Sequence, residues 1–478
     1  MSVRVRATDM RVLPMHTRMP FRYGIATLTA LPHLFVRVEA EIDGATCVGV
    51  ASDGLAPKWF TKNPATSAEY DITEMLRVIT AACAFAREAG VASTVFELWQ
   101  RIYDAQQAWA GAQHFPPLLA GFGVSLVERA LIDAFCRARG RSFATAVREH
   151  SLGIRLDALH PELAGAQPVD LLPLEPLSAL TLRHTIGLSD PLTNDQIAPA
   201  EHVDDGLPQS LVACIRVYGL THFKIKIRGE LAGDLARLRQ IAAILAVETP
   251  NYAFTLDGNE QFHAVATFRE LWQALQRDPE LAPLMRRLLF VEQPLHRDLA
   301  LSAATARALL DWPDRPPIII DESDGELASL PTALAAGYAG TSHKNCKGVF
   351  KGIANAALIA HRQRIDPARN YILSGEDLSN VGPVALLQDL AVMATLGVGH
   401  VERNGQHYFT GLSMYAPELQ ERVLEHHGDL YHRHPRGFAT LNVQGGRINI
   451  GSVVAAPFGL AFPFNTSQYM SLEQAALA

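Results

Sequence analysis

The chain has 478 residues, 48% of them hydrophobic and 19% charged, with a formal net charge of -7. That length can bury one large α/β core and a smaller one, and a mildly acidic chain without a basic run gives no reason to expect nucleic acid as a partner. Cys47, Cys83, Cys136, Cys214 and Cys346 stand far apart, with no CxxC spacing and no His-Cys run; they fit reduced thiols, and with no signal-peptide core at the start and no apolar run long enough to span a bilayer, the expectation is a soluble, cytoplasmic protein without a membrane partner.

Residues 34–50, "LFVRVEAEIDGATCVGV", alternate apolar and polar around Asp43-Gly44, which signals a hairpin. Helical stretches follow at 66–90, 93–111 and 117–140, the last with Phe122, Leu126, Ala130 and Ala134 at helical spacing. Residues 1–150 therefore read as an α+β unit. A segment rich in Pro, Leu and Ala, 151–178, reads as a connecting loop. From 179 to 404 short apolar strands alternate with amphipathic helices. The strands are "LTLRHTIG", "HFKIKI", "YAFTLDG", "LLFVEQP", "PIIIDES", "GTSHKNC", "YILSGED" and "GHVERN". Eight strands at a repeat of roughly 30 residues match a (β/α)8 barrel; a doubly wound sheet usually has fewer strands and often a Gly-rich turn after the first. Residues 405–478 read as extended segments around Gly445-Gly446, expected to return and pack on the first domain.

The charged residues at the strand ends carry the chemistry. In "HFKIKI", Phe223, Ile225 and Ile227 face the helices, and Lys224 and Lys226 face the interior near the C-terminal mouth. An isolated KxK is more often two surface lysines on an edge strand. Here the next three strands run into Asp257, Glu292 and Asp321. One acid after a strand is usually a helix N-cap. Three in register bring three anions together, and their repulsion must be relieved by protonation or by a cation. Oxygen ligands without His or Cys suit Mg2+. The sixth strand adds Lys344, on the face of Ser342, while Lys347 and Lys351 are expected on the loop and helix surface. A lysine on each side of a bound substrate suits proton removal and delivery on opposite faces, and nearby cations with partial desolvation lower a lysine's pKa.

With KxK in "FKIKI", then "LDGNEQF", "VEQPL", "IDES" and Lys344 in order, the sequence resembles the enolase superfamily, in its mandelate racemase/muconate lactonizing group and there the muconate-lactonizing branch. The resemblance covers most of the chain: the first ~150 residues are similar to the capping domain, and "GGRINIGSVVAAPFGLAF" to the C-terminal return. It implies that Asp257, Glu292 and Asp321 bind Mg2+ and that Lys226 and Lys344 are the acid/base pair. Lys224 would lower the pKa of Lys226 and contact the substrate carboxylate. Asn259 and Glu322 match supporting positions. "MPFRYGIATLTALPH" resembles the capping loop that closes over substrate, with Arg22 and Tyr23 as candidates for specificity or for structure. There are departures. The mandelate-racemase branch has a His at the end of strand 7, paired with an Asp on strand 6; here "ILSGEDLSN" puts Glu376 near that place, without an assigned role. Gly348 and Gly352 are irregularly spaced after Lys344, and the 151–178 segment and the tail make the chain longer than is usual. His343, His400 and His407 read as structural hydrogen-bonders.

These readings converge on a Mg2+-dependent enzyme that removes the proton α to a carboxylate through an enediolate, of racemase/epimerase or cycloisomerase type. The alternative on the same site is a dehydratase, a lyase of an acid sugar. Other classes are a Schiff-base lysine enzyme, which leaves the three acids without a purpose, and a non-catalytic binding protein. The expected partner is a small-molecule carboxylate, and the resemblance implies a homo-oligomer, a dimer or an octamer.

Overall fold

The computed structural model describes residues 1–23 and 25–475. Three antiparallel strands open the chain: β1 (Val3–Tyr23), β2 (Ala26–Ile42) and β3 (Ala45–Gly54). Alternation makes the sheet one-sided. Val36, Val38, Ala40 and Ile42 are buried, and Arg37, Glu39 and Glu41 between them are half-buried. The β2–β3 turn is Asp43-Gly44, both with positive φ (50° and 83°), as a two-residue turn of this hand requires. The hairpin read in the sequence is therefore present.

Three helices cover the sheet: α1 (Ala68–Glu88), α2 (Val95–Ala112) and α3 (Pro117–Arg139). Ser67 and Thr94 cap the first two through hydrogen bonds from Tyr70 N and Glu97 N. Almost all of α3 is buried. It lies tightly against β3 because residue 49 is glycine; a Cβ there would collide with the Ala130 carbonyl.

Eight parallel strands follow: β4 (Ala179–Ile186), β5 (His222–Lys226), β6 (Ala253–Asp257), β7 (Leu288–Glu292), β8 (Ile318–Ile320), β9 (Gly340–His343), β10 (Ile372–Gly375) and β11 (His400–Glu402). Pairing of β11 with β4 closes the ring. The fold is a (β/α)8 barrel with an N-terminal capping domain, and each strand lies where the apolar runs placed it.

Three local readings need correction. The 151–178 segment holds short helical turns, Leu156–Leu159, Pro161–Leu163 and Pro168–Leu171, which bury Leu156, Leu159, Leu163 and Leu171. Turns this short show no helical period, although a proline opens two of them. The tail reaches both domains. Residues Arg447–Asn449 pair with β4 of the barrel, whereas Met470 and Ser471 pair with β1 and Phe464 stacks on Phe35. Finally, the expected loop "MPFRYGIATLTALPH" is a hairpin: Phe21 pairs with Leu28 and Arg22 with Thr27. Alternating apolar residues and threonines favour strand there. Arg18 pins the hairpin to the barrel. It pairs with Asp205 and donates to the carbonyls of Leu207, Pro208 and His407.

Candidate active site

The strand register brings one charge to each strand end from β5 to β11. Lys226 pairs across to Asp257, and Asp257 to Glu292. Asp321 follows β8, Lys344 follows β9, Glu376 follows β10, and Glu402 ends β11. β4 contributes Arg183, whose guanidinium donates to Glu376 Oε1 at 2.8 Å and to Ser374 Oγ at 2.8 Å.

Lys224 is the hub. Its side chain is 2% exposed, and Nζ lies 2.9 Å from Asp257 Oδ2, Glu292 Oε1 and Glu402 Oε2, and 2.8 Å from Glu376 Oε2. Burial alone would lower its pKa, but the four carboxylates outweigh burial and hold it well above lysine's ordinary value. Lys344 follows the same pattern. Burial lowers its pKa, and Asp321 (2.6 Å) with Glu376 (3.3 Å) more than reverses that. Its ammonium also stands 4.7 Å from the centre of the Trp59 ring. Lys224 and Lys344, expected to act as cations on Lys226, are thus held charged. The sequence shows the lysines near one another but not the acids Glu376 and Glu402 packed among them. Lys226 donates to Asp257 Oδ2 at 2.5 Å and to Asn259 Oδ1 at 2.6 Å.

The acids divide in two. Burial raises the pKa values of Asp257, Asp321 and Glu376, but their lysine neighbours, with Arg183 beside Glu376, overcome it and bring all three below the ordinary range. Glu292 goes the other way: burial first, then the charges of Glu376, Asp257 and Asp321, push it well up. Glu322 is pushed up to about 7 by burial and by Asp321 and Glu260. Its Oε1 accepts from Asn259 Nδ2 at 3.3 Å.

Glu292 also shows what the cluster lacks. Its Oε1 accepts from Lys224, but its Oε2 is buried with no hydrogen-bond partner among the described residues. Glu292, Asp321 and Glu376 each offer an oxygen within 4.8 Å of the other two, and this group can hold a metal ion. Asp257, expected as the third ligand, lies beside this group, 2.9 Å from the Lys224 ammonium that Glu292 and Glu376 share.

Several residues stand apart from the expectations. Lys347 and Lys351 are buried, not surface groups. The turn Asn345–Lys347 folds back so that Lys347 donates to Asp321 Oδ1 (2.7 Å) and Ser342 O (2.9 Å). The helix Val349–Ile365 is buried along its first three turns, which puts Lys351 beside Asp324 at 2.9 Å. Glu402 and Arg183 were passed over. Glu402 has the same signal as the other acids, a carboxylate ending an apolar strand, and Arg183 occupies an inward position of β4. Arg22 stands at the rim, with its side chain 44% exposed and 3.9 Å from Glu201; the side chain of Tyr23 lies outside the described residues. His343 bonds to Asn345 and His400 to Arg183.

Above this floor is a cavity. Lys224, Lys226, Asp257, Asp321 and Lys344 reach it from below, and Phe21, Leu31, Trp59, Leu378 and Tyr408 give it an apolar roof. Phe21 of the hairpin and Tyr408 of the barrel lie with ring centres 4.1 Å apart.

No protein-family model and no curated protein matches the chain. Among solved structures it is similar to the muconate lactonizing enzyme from Pseudomonas fluorescens complexed with muconolactone, at 16% identity over 94% of each chain, with a TM-score of 0.56. It is also similar to an enolase from Bradyrhizobium complexed with magnesium and mandelic acid (14% identity, 98% of this chain and 99% of that one, TM-score 0.57). A third is the N-succinyl Arg/Lys racemase from Bacillus cereus (14% identity, 94% and 97%, TM-score 0.56). At such identities the likeness is one of fold. No helix among the described residues is long and apolar enough to cross a membrane.

Proposed function

We propose that this protein is a Mg2+-dependent enzyme that removes the proton α to the carboxylate of a small acid, acting as a racemase or epimerase or as a cycloisomerase. The observation that carries this reading is the placement of two lysines. β5 and β9 are four strands apart in a ring of eight, so Lys226 and Lys344 face each other across the cavity. A substrate held between them offers one face to each. Neither binding nor Schiff-base chemistry calls for such a pair, and a Schiff-base enzyme leaves the carboxylate cluster without a purpose.

The ion would be held by Glu292 and Asp321, which belong both to the motif order and to the carboxylate group, with Glu376 or Asp257 as the third ligand. Bound there, Mg2+ supplies fixed positive charge for the substrate carboxylate and for the enediolate charge that develops on it. Lys224, charged and lining the same cavity, would add a second fixed positive charge. Lys226 takes the α-proton from one face. Lys344, held in its protonated form by Asp321 and Glu376, gives a proton to the other. For the opposite enantiomer the two exchange roles. Asn259 holds the Lys226 ammonium through its Oδ1.

Phe21, Leu28, Leu31 and Leu378 give the roof an apolar face for a substituent, while Asn259, Ser379 and Asn404 reach the same cavity with polar groups, so dehydration of an acid sugar is kept as the second reading on this site.

The test is solvent exchange. The protein in D2O with Mg2+ is incubated with a panel of carboxylates bearing aliphatic or aromatic substituents, and loss of the α-proton signal is followed by NMR. Exchange that stops on adding EDTA is the expected result. A protein that neither binds Mg2+ by calorimetry nor exchanges any panel member rejects the reading.

A further inference from the structure

On the outer side of the barrel wall, three soft ligands meet. Along β4, Arg183 and Thr185 turn inward to Glu376 and Glu402, so His184 between them turns outward. There it reaches Cys214, on the helix Leu211–Tyr218, and His407, on the short helix Gly405–Tyr408. One donor atom from each residue lies within 4.8 Å of the other two, and all three side chains are buried. Cys214 Sγ is 3.7 Å from His407 Nδ1, and the rings of His184 and His407 stand edge to face with centres 5.1 Å apart. Zinc binds sulfur at about 2.3 Å and imidazole nitrogen at about 2.0 Å, so two such ligands of a tetrahedral ion lie roughly 3.5 Å apart. The Cys214–His407 pair already has nearly that spacing, and a sub-ångström to ångström movement of His184 completes the triangle.

Packing alone does not account for His184. It is 4% exposed, and its ring nitrogens make no hydrogen bond among the described residues. A metal ion would give this enclosed imidazole a partner.

We propose that His184, Cys214 and His407 form a second metal site, for a transition metal ion of the zinc class, distinct from the carboxylate cluster at the mouth. One sulfur and two imidazole ligands suit such an ion and not Mg2+. His407 also borders a cavity of about 170 Å³ lined by Tyr408 and Asp190. On binding, the thiol proton passes to solvent and the ion takes the thiolate. The site would tie the turn carrying Tyr408, part of the roof of the mouth, to the wall strand β4. This inference does not rest on the proposed reaction.

The test uses the full-length protein, stripped of metal and then saturated with Mg2+ so that oxygen sites are filled. Co2+ is titrated in and absorption recorded. The expected result is a thiolate-to-cobalt charge-transfer band that saturates at about one ion per chain, disappears when Zn2+ is added and is absent from a folded Cys214→Ser protein. A wild-type protein without the band, or a band of equal size in Cys214→Ser, overturns the proposal. Should Cys214→Ser fail to fold, anomalous scattering from a zinc-soaked wild-type crystal gives the same decision: an ion between these three side chains supports the site, and none there removes it.

Discussion

Buried charge occurs in two regions, and they use different cations. Where the cap meets the barrel the cations are arginines. Arg129 of α3 pairs with Asp53 of β3 at 2.9 Å, and Arg403, next to β11, pairs with Asp377 at 2.7 Å and lies 3.7 Å from Asp389. At the mouth the cations on the cavity floor are lysines 224, 226 and 344, with Lys347 behind them, and Arg22 reaches the cavity only from its exposed rim. The acids differ accordingly. In the joint, burial lifts Asp53 and Asp389 to about 6 and Asp377 to about 7 in spite of their arginines. At the mouth, several lysines share each acid and pull Asp257, Asp321 and Glu376 down. A guanidinium stays charged and fixes geometry, whereas an ammonium can give up its proton. Arg183 fits the rule from the other side. It braces Glu376 from below and does not line the cavity among the described residues.

The largest effect that tests this contrast is a change of cation without a change of charge. Lys226→Arg and Lys344→Arg keep the positive charge and remove the transferable proton. Each should lower turnover by about 10²–10⁴-fold while Mg2+ affinity, read by calorimetry, stays within a few-fold. In a racemase each variant should still exchange the α-proton of one enantiomer, because one face keeps its lysine. Wild-type turnover in Lys344→Arg would move the second proton donor elsewhere, with Lys347 next to be changed.

At the joint the same logic predicts a loss of stability instead. Arg129→Met leaves Asp53 buried without its partner and should cost about 3–5 kcal/mol in urea unfolding, with turnover per folded molecule little changed. The pH dependence has a definite sign. Asp53 is raised to about 6 when folded, above its unfolded value near 3.8. The folded state therefore holds a proton that the unfolded state releases, and stability falls as pH rises from about 4 to 6. Without Arg129 the pKa rises further, so the loss in Arg129→Met should be greater at pH 8 than at pH 5. An equal loss at both would show that Asp53 ionisation is not the cause.

Much of the mouth was legible because a strand's side chains alternate and barrel strands end at a common level. Lys224, Lys226, Asp257, Glu292, Asp321 and Lys344 needed only that regularity, and the structure brings all six to the mouth. What stayed hidden depends on distant partners. The number of acids around Lys224 is set by β10 and β11, 152 and 178 residues away. Lys347 depends on a single turn of 3-10 helix. His407 is 193 residues from Cys214, and no spacing in the sequence connects them.

The metal ligands give a smaller and sharper test. In this geometry Glu376, although it also pairs with Lys224 and Lys344, offers an oxygen to the group with Glu292 and Asp321, and Asp257 lies outside that group. Glu376→Gln should therefore weaken Mg2+ binding by about 10–100-fold, and Asp257→Asn by less. The reverse order would restore the ligand set implied by the motifs. In either case affinity should rise with pH, because the proton on Glu292 must leave before the ion binds there.

The smallest effects belong to the hairpin, where two arginines of one strand have opposite surroundings. Arg18 has a side chain 1% exposed and is fixed to the barrel by an ion pair and three carbonyls. Arg22 is at the rim, and its pair with Glu201 is long and exposed on both sides, so it adds little stability. Arg18→Ala frees the hairpin from the barrel and should lower Tm and slow all substrates by a similar factor, because the roof is then less often closed. Arg22→Ala should leave Tm unchanged and instead reorder the acids, changing relative kcat/KM by roughly 2–10-fold, the scale of one peripheral interaction. If Arg22→Ala alters every substrate alike, the rim does not touch the variable part of the substrate, and specificity then lies with Phe21, Trp59 and Leu378 in the roof.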